Sequence, residues 1–425
     1  MKSVNLTLDN QLSTSPKPFI DRLSRNLICR QLEKIKEGEI ILQERDRVQT
    51  FGDRDGALPF SVTVDVSDSS MWRDIALGGA NGAGEAYIRG SWRCSNLSAL
   101  VRILLHNNEV LASMDHQLNR LGRLFQNLRH ALNRNSPGGS RKNIAAHYDL
   151  GNDFFSLFLD KTMMYSSGFY QTPNSTLEQA SIAKLDRICC KLNLAPGDRV
   201  LEIGSGWGGF AIHAAQNYGC HVTSTTLSNE QYKMAQKQVN KLGLENRVTL
   251  LLKDYRDLDG NFDKLVSIEM IEAVGHHYLD TYFQKCSDLL KRDGQMMLQA
   301  ITIRDQDYSR ALHNVDFIKK YIFPGGFLPS ISAMTASISG ASDMKISHLE
   351  DIGPHYARTL SDWRKRFLNR IEEIEDMGYS SEFIRMWEYY LSYCEAGFAE
   401  RYLGDVQMLL TKPLCRRPPI LPTLT

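Results

Sequence analysis

The sequence predicts an α/β fold, a doubly wound parallel sheet behind a small N-terminal α+β module, and three observations carry that expectation. From residue 176 onward, short apolar runs alternate with amphipathic stretches at helical spacing. The glycine turn Gly204-Ser-Gly206-Trp-Gly208-Gly209 directly follows the first of those runs. The chain has 425 residues, more than the roughly 250 to 300 that one hydrophobic core serves, so a second module is expected.

Taken in order, Glu37 to about Asn107 reads as strands and turns: EIILQERDRVQTFGD, then PFSVTVDVSD with Val62, Val64 and Val66 alternating, then GGANGAGEAYIRGSW. The glycine-rich piece Gly78 to Gly84 lacks a GK[ST] ending and has no clear helix after it, so it reads as a structural turn rather than a phosphate loop. Between His116 and His147 there is no acidic residue, while Arg120, Arg123, Arg129, Arg134, Arg141 and Lys142 supply positive charge and Leu118, Leu121, Leu124, Phe125, Leu128 and Leu132 recur at helical spacing. This basic amphipathic helix is either a linker packed on its own protein or an interfacial helix that touches anionic lipid. The divisions that follow are an α+β module over 1–112, a basic linker over 113–142 and the main domain over 143–415.

Within that domain, Thr176 to Leu194 carries Leu177, Ala180, Ala183, Leu185 and Ile188 at helical spacing until Pro196-Gly197 stops it. Arg199 to Ile203 is a buried strand, Ala211 to Tyr218 a helix, His221 to Thr225 a strand, Asn229 to Leu242 a helix and Val248 to Leu252 a strand. Lys264 to Ile268 and Gln295 to Ile301 add two strands around a helix from Tyr278 to Leu290. Ligands of such sheets bind at the carboxyl ends of the strands.

Composition narrows the function. Lysine and arginine total 50 against 49 aspartates and glutamates, which removes any global electrostatic case for nucleic acid. No apolar run reaches the ~20 residues of a membrane-spanning helix, and Met1 to Ile20 is polar rather than signal-like, so a cytoplasmic protein is expected. Eight scattered cysteines without CxxC spacing suggest neither a zinc site nor a disulfide framework. His276 and His277 read as a helix-entry pair rather than metal ligands, since no acid or cysteine stands beside them at ligand spacing.

A glycine turn after the first strand lets backbone approach a ligand and aims helix N–H groups at it. Here the spacing misses the third glycine of the G-x-G-x-x-G dinucleotide fingerprint. A short E-x-G-x-G turn with Glu202 on the strand fits S-adenosylmethionine instead, a ligand with an amino-acid tail and no phosphates, and makes the sheet a Rossmann-like class I methyltransferase sheet. Tyr255 and Arg256 follow the third strand, where such folds hold adenine, and Glu269 and Glu272 follow the fourth, near the point of methyl delivery. HVTSTTLS, the second strand, ends without the acidic residue expected at the ribose, and Gln231 is read as its substitute.

Further motifs appear in order: HYDLGNDFF (147–155), MYSSGFY (164–170), LEIGSGWGG, TLSNEQ (226–231), DYRDL (254–258), EMIEAVGH (269–276), YIFPGGFLPS (321–330), HYARTL (355–360) and WEYYLSYCEAGF (387–398). In these the chain resembles the cyclopropane-fatty-acyl-phospholipid synthase family over about residues 143 to 412, and looks most like its plant-type branch. The resemblance implies helical lipid-pocket insertions in the fold and methyl transfer from S-adenosylmethionine to the cis double bond of an acyl chain still esterified in a phospholipid. It further implies peripheral association with the inner face of the membrane, a lipid-binding or dimerisation-like N-terminal module, and a homodimer. Carried over residue by residue, it assigns cofactor binding to Tyr165, Ser166, Glu202, Gly204, Gly206, Gly208, Thr226, Leu227, Ser228, Gln231, Tyr255 and Arg256. A bicarbonate ion acting as base is implied on Ser167, Glu272, Gln299, the backbone of Ile301, and Tyr356. Cys394 stands where a catalytic nucleophile has been proposed for the family, against a reading as buried packing.

Such chemistry has clear physical demands. An alkene is a feeble nucleophile, so water must be excluded and the methyl donor held in line. Transfer leaves a carbocation, which tyrosine faces such as Tyr148 and Tyr165 stabilise by cation–π attraction of roughly 0.5 to 2 kcal/mol per ring. A base must then reach the proton whose loss closes the ring. Many relatives carry cysteine at the position of Ser167 and histidine at that of Gln299, although glutamine also occurs in plant-type relatives; both replacements keep hydrogen bonds to an anion, but with Gln299 a titratable imidazole is gone. Glu269 reads as a local cap or hydrogen-bonding residue, and Phe323-Pro-Gly-Gly326 as a lid or a turn. Two other functions stay open: methylation of a soluble or isoprenoid acceptor, and a lipid-binding relative without turnover.

Overall fold

The computed structural model describes residues 18–56, 58–107 and 150–421. The basic segment, with His147 and Tyr148 of the first motif, lies outside the described residues.

Toward the N-terminus, β1 (Gly38–Glu44), β2 (Arg47–Asp53), β3 (Ser61–Val66) and β4 (Trp92–Cys94) form one sheet in the order β2-β1-β3-β4. β1 runs antiparallel to β2 and parallel to β3. Ile40, Leu42, Val62 and Val64 bury its inner face in one core with residues of α1 (Pro18–Leu32), α2 (Ser70–Ile88) and α3 (Leu97–His106).

The glycine-rich piece expected as a turn is instead the second half of α2, helical except for Gly79 at φ 56 and ψ −136. A Cβ on Gly82 would lie 1.9 Å from the Asp74 carbonyl oxygen across that kink, and one on Gly84 2.8 Å from the Phe317 ring. Close approach, which no local pattern records, is what the glycines serve here.

The main sheet has the order β10-β11-β9-β8-β5-β6-β7. Its parallel part comprises β5 (Arg199–Ile203), β6 (His221–Thr226), β7 (Val248–Leu252), β8 (Phe262–Ile268) and β9 (Leu290–Ile303). Between and before them run α4 (Asn152–Phe158), α5 (Leu177–Leu192), α6 (Gly209–Tyr218), α7 (Asn229–Lys241) and α8 (Leu279–Asp288). The sheet is therefore mixed rather than wholly parallel: β10 (Lys345–Asp351) and β11 (Leu403–Thr411) add an antiparallel pair beside β9. Successive residues of β5 face opposite helical layers, Val200 in the core with Phe210 and Val239, Leu201 in the core with Phe283 and Met296.

Local chemistry sets the ends. Thr176 caps α5 in a capping box with Gln179, and Asn193 closes it in the left-handed region at φ 51. Ser228 caps α7 by accepting from the Gln231 N–H at 3.3 Å.

From β9 the chain continues through α9 (Asp305–His313), α10 (Ile331–Ala341), α11 (Gly353–Leu368), α12 (Ile371–Asp376) and α13 (Ser381–Ala399). α11 and α13 meet α4 in an aromatic core, where the Phe154 ring lies 4.8 Å from Trp387 and 6.2 Å from Phe367. The same core continues to the N-terminal sheet, with the Tyr87 hydroxyl donating to Glu388 at 2.8 Å. Among the described residues no helix is long and apolar enough to cross a membrane.

Candidate active site

The turn after β5 is built for close approach. Gly204, Gly206 and Gly208 take φ of 98, 48 and 91 degrees, a region that costs a residue with a Cβ roughly 1–2 kcal/mol. Among the described residues a Cβ on Gly206 would meet nothing within 4 Å, whereas one on Gly208 would press on Ala235 at 3.1 Å. Gly206 thus faces open space, and Gly208 serves the packing of α6 on α7.

Open space at the turn is a cavity of about 160 Å³ lined by Tyr165, Ser166, Glu202, Gly204, Gly206, Thr226, Leu227, Gln231 and Tyr255, together with Met164, Trp207, Lys253, Glu269 and Met270. Nine of the twelve residues expected around the cofactor are in that lining. Gly208, Ser228 and Arg256 are not: Ser228 is the cap of α7, and Arg256 pairs with Asp254 through Nε to Oδ1 at 2.9 Å and Nη2 to Oδ2 at 2.7 Å. Inside the cavity, Thr226 Oγ1 donates to Gln231 Oε1 at 3.0 Å, fixing the glutamine where β6 ends without an acid. Glu202 accepts from Ser224 Oγ at 2.5 Å, and burial pushes its carboxyl up to about 8.

The lining fits S-adenosylmethionine. Its titratable groups are Glu202, Glu269 and Lys253, so acids outnumber bases, as suits a ligand with a sulfonium and an ammonium and no phosphate to cradle. Sulfur, indole and aliphatic surfaces from Met164, Trp207, Met270 and Ile268 supply the apolar walls.

Behind the cavity lies a group of buried carboxyls. Glu269, at the end of β8 with φ 48, accepts three hydrogen bonds: from the Ser167 N–H at 2.8 Å, from Gln299 Nε2 at 2.8 Å and from the Tyr356 hydroxyl at 2.7 Å. Glu272 accepts from the Ile301 N–H at 2.6 Å through Oε1, while its Oε2 is buried without a partner among the described residues. Burial, then the neighbouring Glu269, pushes Glu272 up to about 8. Asp405, on β11, accepts from Gln299 Nε2 at 2.9 Å and is raised well above the carboxylate range by burial, then by Glu269 and Glu272. Glu269 is raised by burial too, against the opposing pull of Lys184.

Lys184 on α5 is the counter-charge, fully buried with Nζ donating to Ser166 Oγ at 2.7 Å. Burial brings it down to about 8 against the pull of Glu269, Asp405, Asp160 and Glu202. Gln299 is held in one orientation from behind. Its Oε1 accepts from Gln407 Nε2 at 3.0 Å, and Gln407 Oε1 accepts from Lys191 Nζ at 2.7 Å. An ammonium only donates, so it sets the polarity of both amides and turns the Gln299 amino group to the acids.

Five of the six residues expected at the reaction centre are therefore brought together: Ser167, Glu272, Gln299, Ile301 and Tyr356. Cys394 is elsewhere, packed on the aromatic core with its thiol pushed up by burial. The donors of this set do not fit a bicarbonate ion as implied, because they are spent on the protein's own acids: Ser167, Gln299 and Tyr356 on Glu269, Ile301 on Glu272. The Ser167 hydroxyl turns to the Gly168 carbonyl at 3.0 Å. His276 and His277 form a single helical turn leading into α8, and Phe323 to Gly326 closes a turn with Gly326 N–H to Phe323 O at 3.0 Å.

Sequence reasoning placed Glu269 near methyl delivery but gave its side chain only a local part, and it missed Lys184, Asp405, Gln407 and Lys191. The available signals were a lysine inside the apolar stripe of α5, and polar Asp405 and Gln407 alternating with Val406 and Met408 on a strand buried on both faces.

Comparison with known proteins agrees with this geometry. Residues 136–408 match the family described as mycolic acid cyclopropane synthetase. The chain is 39% identical over 350 residues to tuberculostearic acid methyltransferase UfaA1 of Mycobacterium tuberculosis (strain ATCC 25618 / H37Rv), covering 81% of each protein. It is 39% identical over 356 residues to the cyclopropane-fatty-acyl-phospholipid synthase of Escherichia coli (strain K12), covering 83% of this chain and 87% of that one. The solved structure of mycolic acid cyclopropane synthase CmaA1 complexed with SAH and CTAB superposes with a TM-score of 0.60 at 33% identity, over 64% of this chain and 98% of that one. An acid-lined glycine turn on this sheet, and a match over most of the chain, lead to one conclusion: the protein is an S-adenosylmethionine-dependent methyltransferase and belongs to the mycolic acid cyclopropane synthetase family.

Proposed function

We propose that the protein transfers a methyl group from S-adenosylmethionine to the cis double bond of an unsaturated acyl chain carried by a phospholipid, and that loss of a proton from the new methyl then closes a cyclopropane ring or, after a 1,2-hydride shift has moved the cation to the methyl-bearing carbon, leaves a methylene branch. One observation carries this reading: Glu269 lies in the lining of the cavity at the glycine turn and also in the buried acid group, so the place of methyl delivery and the place of proton removal adjoin. The relatives named above, a tuberculostearic acid methyltransferase and a cyclopropane-fatty-acyl-phospholipid synthase, point to the same acceptor class.

When bound, S-adenosylmethionine supplies an electrophilic methyl group. Glu202, Gln231, Tyr255 and the backbone around Gly204 and Gly206 would hold it. Aromatic rings exclude water and face the cation: Tyr165 lies 5.2 Å from Trp363 and 5.3 Å from Phe155, and its hydroxyl is tied to that of Tyr390 at 2.9 Å.

A second cavity, of about 400 Å³, lies between the N-terminal helices and α13, with Ile75, Trp92, Leu100, Phe317, Tyr389 and Tyr393 in its lining. Its apolar character supports a lipid-binding role for residues 1–112. Residues 113–142 then serve as a basic contact with the inner face of the membrane, reached from the cytoplasm.

Purified protein given vesicles of unsaturated phospholipid and methyl-labelled S-adenosylmethionine should put label into extractable lipid, and mass spectrometry with derivatisation should separate ring from methylene. Label absent from lipid across several vesicle compositions, with cofactor binding intact, would remove this reading and leave a lipid-binding protein without turnover.

A further inference from the structure

We infer that the carboxylate of Glu269 is a built-in base, standing where the family resemblance implies a bound bicarbonate ion; this rests on the methyl-transfer reading above. Three observations carry it. First, the donors are already aimed: the Tyr356 hydroxyl, the Gln299 amide and the Ser167 N–H converge on the two oxygens of Glu269 at 2.7 to 2.8 Å. A carboxylate presents the same planar, anionic pair of oxygens as bicarbonate, so the same three donors serve either, and here the tethered one holds them. Second, Glu269 lies in the lining of the cavity beside the glycine turn, so its carboxylate borders the space in which the methyl group is delivered. Third, the residue sits at φ 48, a left-handed conformation that a residue with a Cβ adopts at a cost, directly after β8. That unusual backbone belongs to the one acid the donors surround.

The step balances without a further reactant. The cation left by methyl transfer gives up a proton from the new methyl carbon or from a neighbouring carbon. The C–H electron pair forms the third ring bond, or a C=C bond, and the proton becomes bonded to a Glu269 oxygen. It leaves to solvent when the product departs. Tyr356, Gln299 and Ser167 hold the carboxylate oriented through the step, and Lys184 compensates its charge.

Two readouts test the assignment. In buffer stripped of carbon dioxide and bicarbonate, the wild-type enzyme is expected to keep its full turnover on unsaturated vesicles and to gain nothing from added bicarbonate. Glu269→Gly, which removes the acid and relieves the left-handed backbone, should lose about 100-fold or more in kcat, the ordinary worth of a general base, and recover part of it when bicarbonate is added. The second readout needs no lipid: the 13C NMR line of labelled bicarbonate should stay sharp with wild-type protein and broaden with Glu269→Gly, whose three donors are now open. Glu269→Gln keeps the shape without the base and should be inactive while still binding cofactor by calorimetry. Wild-type turnover that collapses on bicarbonate removal, a wild-type protein that broadens the bicarbonate line, or full activity in Glu269→Gln overturns the assignment. Absence of lipid methylation in every protein, with the predicted NMR difference intact, would instead sink the proposed reaction and leave the anion-site assignment standing.

Discussion

At the scale of single residues, the site is a problem of too many buried acids. Glu269, Glu272 and Asp405 are grouped around one ammonium, Lys184, and desolvation of that many charges is costly. The consequence is a pH dependence of folding with a definite sign. Glu272 ionises near 4.5 when free and near 8 when folded, so the folded state holds a proton that the unfolded state has lost. Stability from this group is full below about pH 4.5 and falls as pH rises toward 8, with a slope of at most about 1.4 kcal/mol per pH unit. Glu202, also raised to about 8, works in the same direction. Urea unfolding of the cofactor-free protein should therefore show midpoints that decline from pH 5 to pH 8. Glu272→Gln, which keeps an acceptor for the Ile301 N–H but cannot titrate, should flatten that decline; an unchanged slope would show that Glu272 does not hold its proton in the folded protein.

At the scale of elements, the parts read correctly from sequence are those whose signal is local. α5, β5, α6, β6, α7 and β7 carry their own caps, glycine stops and apolar spacing, and their ends differ from the expectation by a residue or two. The misread parts take their form from distant partners. The glycine-rich half of α2 looked like a turn because glycine weakens a helix, yet Gly82 is demanded by the Asp74 carbonyl and Gly84 by the Phe317 ring, 233 residues away in sequence. This gives a paired prediction. Gly78→Ala, with nothing within 4 Å of the added methyl, should stabilise the protein by about 0.5–1 kcal/mol. Gly82→Ala, with its methyl driven against backbone, should destabilise it by about 1–3 kcal/mol. Thermal melts of the two variants decide it, and equal shifts would show that the kink yields. The carboxyl pocket was half legible for the same reason: Glu272 and Tyr356 sit in motifs, whereas Asp405, Gln407 and Lys184 matter only because β11 and α5 come to lie against Gln299 and Ser166.

At the scale of the whole molecule, near-neutral charge conceals a local excess. The fifty basic and forty-nine acidic residues almost cancel, but residues 116 to 147 hold no acid. Replacing Arg120, Arg123 and Arg129 by glutamine should weaken co-sedimentation with anionic vesicles, most strongly at low salt where the screening length is long; equal binding by both proteins would leave that segment a linker. The fold also has a consequence in time. Asp405 and Gln407 come from β11, which slots between β9 and β10 and touches Gln299 from the side opposite Glu269. A ribosome must therefore deliver residues 403–411 before the pocket acquires its floor. Nascent chains stalled short of that point should bind the donor at the glycine turn yet remain chemically silent, because Glu269 is already made while the Gln299 amide that steers it still lacks the Gln407 partner that fixes its orientation.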